Sequence, residues 1–260
     1  MADFWRDKHV VITGASSGIG EALAREAVAQ RAKVSMLARR QDRLTAIAEQ
    51  LQNAAGSITS RATDVTNRGQ LAEAITDLER EFGPVDVLIA NAGVYRKTDG
   101  AAFDAERAAS VFQTNVIGVS NALGAVLPGM VARRRGHVCA VSSLGGLLSL
   151  PAGGAYCASK AAVATLMKSI RVDVEPHGVR VTTVYPGFVD TPMITDHERR
   201  TLRGIWTAER TARRILAAIA HGKREDAFPL ALWLEIKLAS YLPWWLYRRV
   251  MRTVPPMEDT

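Results

Sequence analysis

Only two of the 260 residues are cysteines, Cys139 and Cys157. Two thiols make no disulfide framework, so the small disulfide-stapled folds are excluded and a reducing compartment is expected, by default the cytoplasm. Aromatic residues are scarce at 6%. No run of about 18 uncharged apolar residues offers a bilayer span. The most apolar candidate, residues 227–234, is cut short by Glu235 and Lys237. The opening MADFWRDKHVVITG passes from charged residues straight into an apolar segment and lacks the pattern of a secretory signal. No metal site is expected.

Hydrophobic residues make up 48% and charged residues 23%, enough for one well-packed α/β domain and too short a chain to suggest two. The net charge of +7 is unevenly placed. From His197 onward, twelve Lys and Arg face seven Asp and Glu, so this quarter carries +5 of the total. Such a surface attracts nucleic acid, anionic lipid or an acidic protein; for 199–214 alone a solvated helix face is the simpler reading.

Short apolar segments at 9–13, 33–38, 57–62, 85–90, 137–142 and 179–185 alternate with helix-length segments at 18–31, 41–53, 68–82, 104–132 and 155–175. This alternation predicts a doubly wound, Rossmann-like parallel sheet flanked by helices, one domain over 1–260, with ligands at the carboxyl ends of its strands. Gly83-Pro84 and Pro176-His177-Gly178 punctuate two helix ends. Beyond Pro186 the pattern changes. Residues 187–206 read as a polar, irregular flap, Thr207 as the N-cap of a helix reaching about His221, and 227–260 as an amphipathic aromatic and basic extension.

TGASSGIG, Thr13 to Gly20, follows the first strand and opens the first helix. Gly14, Gly18 and Gly20 let the backbone approach a ligand, and the helix N-terminus behind Ser16, Ser17 and Ile19 offers unpaired N–H groups to a pyrophosphate. A tight turn without a ligand would share the glycines; their place between strand and helix favours the phosphate reading. With this Gly-x3-Gly-x-Gly spacing, the chain resembles the short-chain dehydrogenase/reductase family from about residue 8 to 193. The second strand ends without the acid that would bind a ribose 2′-hydroxyl. It reads Leu37-Ala38-Arg39-Arg40, and guanidinium groups there suit a 2′-phosphate, so NADP(H) is expected over NAD(H). By resemblance, Asp64 and Val65 match the adenine-side position. Asn91, Ala92 and Gly93 match the motif bordering the cofactor, and Pro186, Gly187, Val189 and Thr191 the segment that meets the nicotinamide carboxamide.

Tyr156 and Lys160 stand at i and i+4, one helical turn apart on one face. Lowering a phenol by three pKa units takes roughly 4 kcal/mol. An ammonium about 5 Å away at an effective dielectric near 20 supplies roughly 3 kcal/mol. The positive nicotinamide ring of NADP+ would supply the rest, so the pair is sufficient in magnitude for acid/base work, although exposed Tyr–Lys pairs are common on ordinary helices. Ser143, thirteen residues before Tyr156, matches the family's catalytic serine; neighbouring Ser142 should face the other way. Asn115 matches the asparagine that positions a water beside the lysine. The resemblance implies that hydride moves between nicotinamide and a carbonyl or alcohol carbon while Tyr156 exchanges the proton, Lys160 also binds the ribose hydroxyls, and Ser143 steadies the oxygen. Cys157, beside the tyrosine, reads as a small packing residue.

Trp233, Trp244 and Trp245, with Arg248, Arg249 and Arg252, crowd the final segment. It could roof an apolar substrate pocket, meet another subunit, or touch a membrane peripherally; a bulky apolar substrate is expected over a small sugar. Within enzymes the alternative is a 3-oxoacyl-carrier-protein reductase, and in another class a non-catalytic NADP(H)-sensing or scaffolding protein. The resemblance implies a homodimer or homotetramer through the helices at 104–132 and 155–175. No nucleic acid is expected, since the basic residues surround neither a stacking platform nor a recognition helix.

Overall fold

Strand β1 (His9–Thr13), with sequence HVVIT, is buried along its whole length, as a strand with helices on both faces must be. Around it, in the computed structural model, which describes residues 2–202 and 204–254, lie β2 (Lys33–Ala38), β3 (Ser57–Ala62), β4 (Val87–Ala90), β5 (Gly136–Val141), β6 (Val179–Pro186) and β7 (Glu225–Phe228). The order is β3-β2-β1-β4-β5-β6-β7, and every neighbouring pair is parallel. The described helices are α1 (Ala2–Trp5), α2 (Gly18–Ala29), α3 (Gln41–Gln50), α4 (Arg68–Phe82), α5 (Ala105–Phe112), α6 (Gly118–Ala132), α7 (Gly154–Val174), α8 (Asp196–Thr201), α9 (Ala208–Ala220), α10 (Leu230–Ala239) and α11 (Trp244–Met251).

Alternate side chains of β1 feed two cores on opposite faces of the sheet. Val10 and Ile12 pack with Leu23 and Val28 of α2 and Ile215 and Ile219 of α9. Val11 packs with Leu71 and Leu78 of α4, Val126 and Met130 of α6, and Val163 and Met167 of α7. Strand order reverses where β4 leaves β1 on the side opposite β2, so the carboxyl ends of β1 and β4 open a crevice.

The expected architecture is present as a single domain, with three differences. The segment 104–132 does not run as one regular helix: a π-type turn, Gln113–Ile117, joins α5 to α6 and carries Asn115. Over Ala105–Ala132 the chain is also long and apolar enough to cross a bilayer by those criteria alone, with a mean hydropathy of 1.4. Gln113, Asn115 and Ser120 hid this from the search for an unbroken apolar run, yet Val119, Leu123, Val126 and Met130 face the core. The second difference is the unforeseen β7. Its polar start, Glu225-Asp226, conceals a strand whose Asp226 is only 7% exposed. Arg214 holds that carboxylate with two bonds, 2.6 and 2.9 Å, and Lys223 adds a third at 2.9 Å. Ala227 and Phe228, read as the start of the tail, therefore belong to the sheet. Third, the segment 187–206 contains α8 and a bridge between Val189 and Trp206, so it is not irregular throughout.

Asp226→Ala leaves Arg214 and Lys223 facing each other without their shared anion. Urea unfolding should show a loss of about 1.5–3 kcal/mol, the range for hydrogen bonds to charged groups.

Candidate active site

The carboxyl ends of β1, β2, β4, β5 and β6 surround a cavity of about 820 Å³. At its base, Gly14 takes a φ of +67°, which turns the chain from β1 into α2. Ser17 sits at the N-cap of α2 without a side-chain cap bond, so the first N–H groups remain free to meet an anion. Gly20 admits no side chain: a Cβ there would stand 2.2 Å from the Gly14 carbonyl oxygen and 2.7 Å from Asn91 Nδ2. Asn91 fastens the turn to β4 by donating from Nδ2 to the Thr13 and Gly14 carbonyls at 3.0 and 3.3 Å. In return Thr13 Oγ1 accepts from the backbone N–H groups of Asn91 and Ala92, both at 3.1 Å.

Beyond Ala38 the exposed Arg39 and Arg40 flank the same cavity. Arg40 folds over the turn, its Nη2 donating to Ser16 Oγ and Ser17 Oγ, each at 2.9 Å. Asp64 and Val65 form the next stretch of wall. Asp64 Oδ1 accepts from Thr66 N and Oγ1 at 2.9 and 2.8 Å, which fixes the loop after β3. Pro186, Gly187, Val189 and Thr191 line the opposite side.

Two buried bonds of opposite direction join the end of β5 to α7. Lys160 Nζ donates to the Val141 carbonyl at 2.9 Å, and Ser142 Oγ donates to the Lys160 carbonyl at 2.8 Å. Ser142 is thus a structural strap, and Ser143, on the other face, lines the cavity beside Tyr156. Ser143 Oγ accepts from Gly145 N at 3.0 Å, which sets the short turn after β5. Lys160 Nζ lies 5.8 Å from the Tyr156 ring centroid. Burial lowers the Lys160 pKa to about 8. Burial also raises the Tyr156 phenol, against a smaller lowering by its hydrogen bond with Ser143. Without the positive nicotinamide ring, the phenol therefore lies above its ordinary value, with desolvation by burial as the largest cause, while the Lys160 ammonium is directed at a backbone carbonyl.

Of the catalytic and cofactor-binding residues expected from the sequence, all line the cavity except Gly20 and Asn115. Gly20 lies behind the turn. Asn115 is fully buried, its Oδ1 accepting from Val94 N at 2.8 Å and its Nδ2 donating to the Val94 carbonyl and Ser159 Oγ, both at 3.0 Å. Its side chain clamps the segment after β4 to α7, and its Oδ1 and Lys160 Nζ border the same point, 3.4 and 3.2 Å from where a Cβ on Gly93 would stand. Cys157 is buried with its thiol pKa pushed up, as a packing residue should be.

The sequence offered the final segment as one possible roof for a substrate pocket, but it did not identify the residues that form the wall around the reacting end. Tyr95 meets Tyr156 edge to face, with centroids 5.6 Å apart, and donates to the Ala152 carbonyl at 3.2 Å. From α10, Leu232, Ile236 and Ala239 line the cavity, at a helical spacing that was readable in the sequence. Across the mouth, Tyr247 of α11 donates to the Ser149 carbonyl at 2.6 Å.

A parallel sheet with a glycine turn under a Tyr–Lys–Ser cluster defines a nucleotide-dependent oxidoreductase class. Residues 8–201 match the family model for short chain dehydrogenases. An uncharacterized oxidoreductase of Myxococcus xanthus is 37% identical over 233 residues, covering 90% of this chain and 92% of that one. Dehydrogenase/reductase SDR family member 7B of Bos taurus is 38% identical over 200 residues, 74% of this chain and 61% of that one. A short-chain dehydrogenase/reductase from Burkholderia phymatum, solved in complex with NAD, superimposes with a TM-score of 0.85 at 25% identity, covering 98% of each chain. The chain belongs to the short-chain dehydrogenase/reductase family, oxidoreductases that act on CH–OH or C=O groups with a nicotinamide cofactor.

Gly20→Ala drives a methyl into the Gly14 carbonyl. It should weaken nicotinamide-cofactor binding at least about tenfold, or about 1.4 kcal/mol. Gly124→Ala, whose added Cβ meets nothing within 4 Å, should leave binding unchanged. Fluorescence titration of both variants checks this.

Proposed function

We propose that this chain is an NADP(H)-dependent carbonyl reductase or alcohol dehydrogenase acting on a bulky apolar substrate. The observation that carries the reading is the placement of Tyr156, Ser143 and Lys160 in one cavity beneath the apolar face of α10. Gly14, Ser16 to Ile19, Asp64, Val65 and the Asn91-Ala92-Gly93 segment would hold the dinucleotide, which would supply or accept the hydride. Ser143 and Tyr156 converge on a substrate carbonyl oxygen, and the Tyr156 proton passes to that oxygen as it becomes an alkoxide. A phenol kept protonated by burial is in the state a reductive acid needs. Lys160 holds the ribose hydroxyls and, with Asn115 fixing the neighbouring backbone, keeps the phenol supplied with protons. Pro186, Gly187, Val189 and Thr191 hold the carboxamide end.

Arg39 and Arg40 support NADP(H). No carboxylate follows Ala38, and Arg40 already rests on two hydroxyls of the phosphate turn, where a 2′-phosphate oxygen would compete for the same donors. The acyl-carrier alternative is less well supported. Arg199, Arg213 and Arg214, in the basic quarter, pair with Asp190, Glu26 and Asp226 of this same chain. A non-catalytic sensor would have no chemical need for the complete Asn115, Ser143, Tyr156 and Lys160 set. We assign the enzyme to the cytoplasm. Subunits would pair through α5, α6 and α7, where Phe112, Ile117 and Val172 are exposed apolar residues.

A panel of ketones and alcohols assayed with NADPH and NADH side by side tests the reading. Apolar long-chain or steroid-like ketones with NADPH should be turned over fastest. Preference for small polar ketones contradicts the substrate class, and preference for NADH contradicts the cofactor. Arg39→Ala with Arg40→Ala should cut the NADPH-over-NADH ratio of kcat/KM at least about tenfold, the worth of one charge-assisted contact. Tyr156→Phe should lower kcat by about 10²–10⁴ while cofactor affinity holds, the usual span for a lost acid/base group.

A further inference from the structure

Eleven large hydrophobic side chains are exposed among the described residues, and seven of them fall between residues 230 and 250. Leu230, Leu234 and Leu238 form an outward stripe along α10 at i, i+4 and i+8, continued by Tyr241. The opposite side of α10 lines the cavity through Leu232 and Ile236, so this helix is apolar on both faces. Trp244 and Trp245, 73% and 69% exposed, open α11, the helix that follows α10 in the chain. Arg248 and Arg249 stand one turn behind the tryptophans, and Arg252 follows. With Lys237 these make four cations on the two helices and the residue after them, against the single acid Glu235. None of the four is ion-paired among the described residues, whereas arginines of α8 and α9 pair within the chain.

An apolar stripe ending in tryptophans and flanked by unpaired arginines suits a surface with hydrocarbon beneath and phosphate above. A second protein subunit would need carboxylates placed to answer the arginines. We propose that α10 and α11 form a docking surface for an anionic lipid bilayer, with Leu230, Leu234, Leu238, Trp244 and Trp245 entering the interface and Lys237, Arg248, Arg249 and Arg252 meeting the headgroups. Because α10 is also the roof of the cavity, the docked enzyme sets its apolar entrance against the phase in which an apolar substrate dissolves. Docking itself does not depend on the proposed reaction, and it is read without substrate.

The full chain is sedimented with vesicles of phosphatidylcholine alone and with phosphatidylglycerol added. Binding to the mixed vesicles that weakens with salt supports the proposal. Leu238→Ser with Trp245→Ser, and separately Arg248→Gln with Arg249→Gln, should each weaken that binding at least about tenfold. Both variants should keep wild-type cofactor affinity, which shows that they fold. No sedimentation, equal binding to both vesicle types, or unchanged binding by either variant overturns it. So does light scattering that shows the wild type dimeric and the Leu238→Ser, Trp245→Ser variant monomeric, because the stripe is then covered by a second copy of the chain.

Discussion

A buried lysine amine fixed to a strand carbonyl sets the geometry of this molecule's site. Lys160 donates a hydrogen bond to the Val141 carbonyl at the end of β5, while Ser142 Oγ donates back to the Lys160 carbonyl in α7. Gly146 lets the intervening loop lie flat on the helix, since a Cβ there would stand 2.9 Å from the Lys160 carbonyl carbon. With strand and helix locked at this point, Ser143 and Tyr156 hold fixed places on either side of the lock. Moving the pKa from 10.5 to about 8 corresponds to roughly 3 kcal/mol against the charged form. The native state binds fewer protons here than the unfolded chain, so below about pH 8 the full cost is borne. It is relieved as pH rises from there toward 10.5.

The same burial acts on Tyr156 with the opposite sign, because removing water disfavours phenolate and ammonium alike. The free protein therefore stores a proton on the phenol, beside an amine able to release one near pH 8. Tyr95 on one side and Ser143 on the other keep the phenol pointed into the cavity. In the proposed reaction, Leu232, Ile236 and Ala239 of α10 would limit the access of water to the reacting end of the cavity.

Much of this was legible in the chain because local signals and tertiary demands agreed. β1, β2, β3 and α4 fall where apolar periodicity and turn residues put them. The glycine turn, Asn91 and the Tyr156–Lys160 pair were found because each depends on short-range spacing. What escaped depends on partners far along the chain. β7 opens with acids that are acceptable only because Arg214 and Lys223 meet Asp226. The irregular turn at Asn115 follows from clamping Val94 and Ser159 at once. The pKa of Tyr156 could not be read from an i, i+4 distance, since that arithmetic contains the cation but not the lost water.

Burial, not the nearby cation, governs the Tyr156 phenol before substrate and cofactor arrive. Tyrosinate absorbance followed across pH, as the difference between wild type and Tyr156→Phe without cofactor, reads that ionisation directly. A Tyr156 transition above the ordinary value of 10.0 is expected. A phenolate already formed near neutral pH would contradict it.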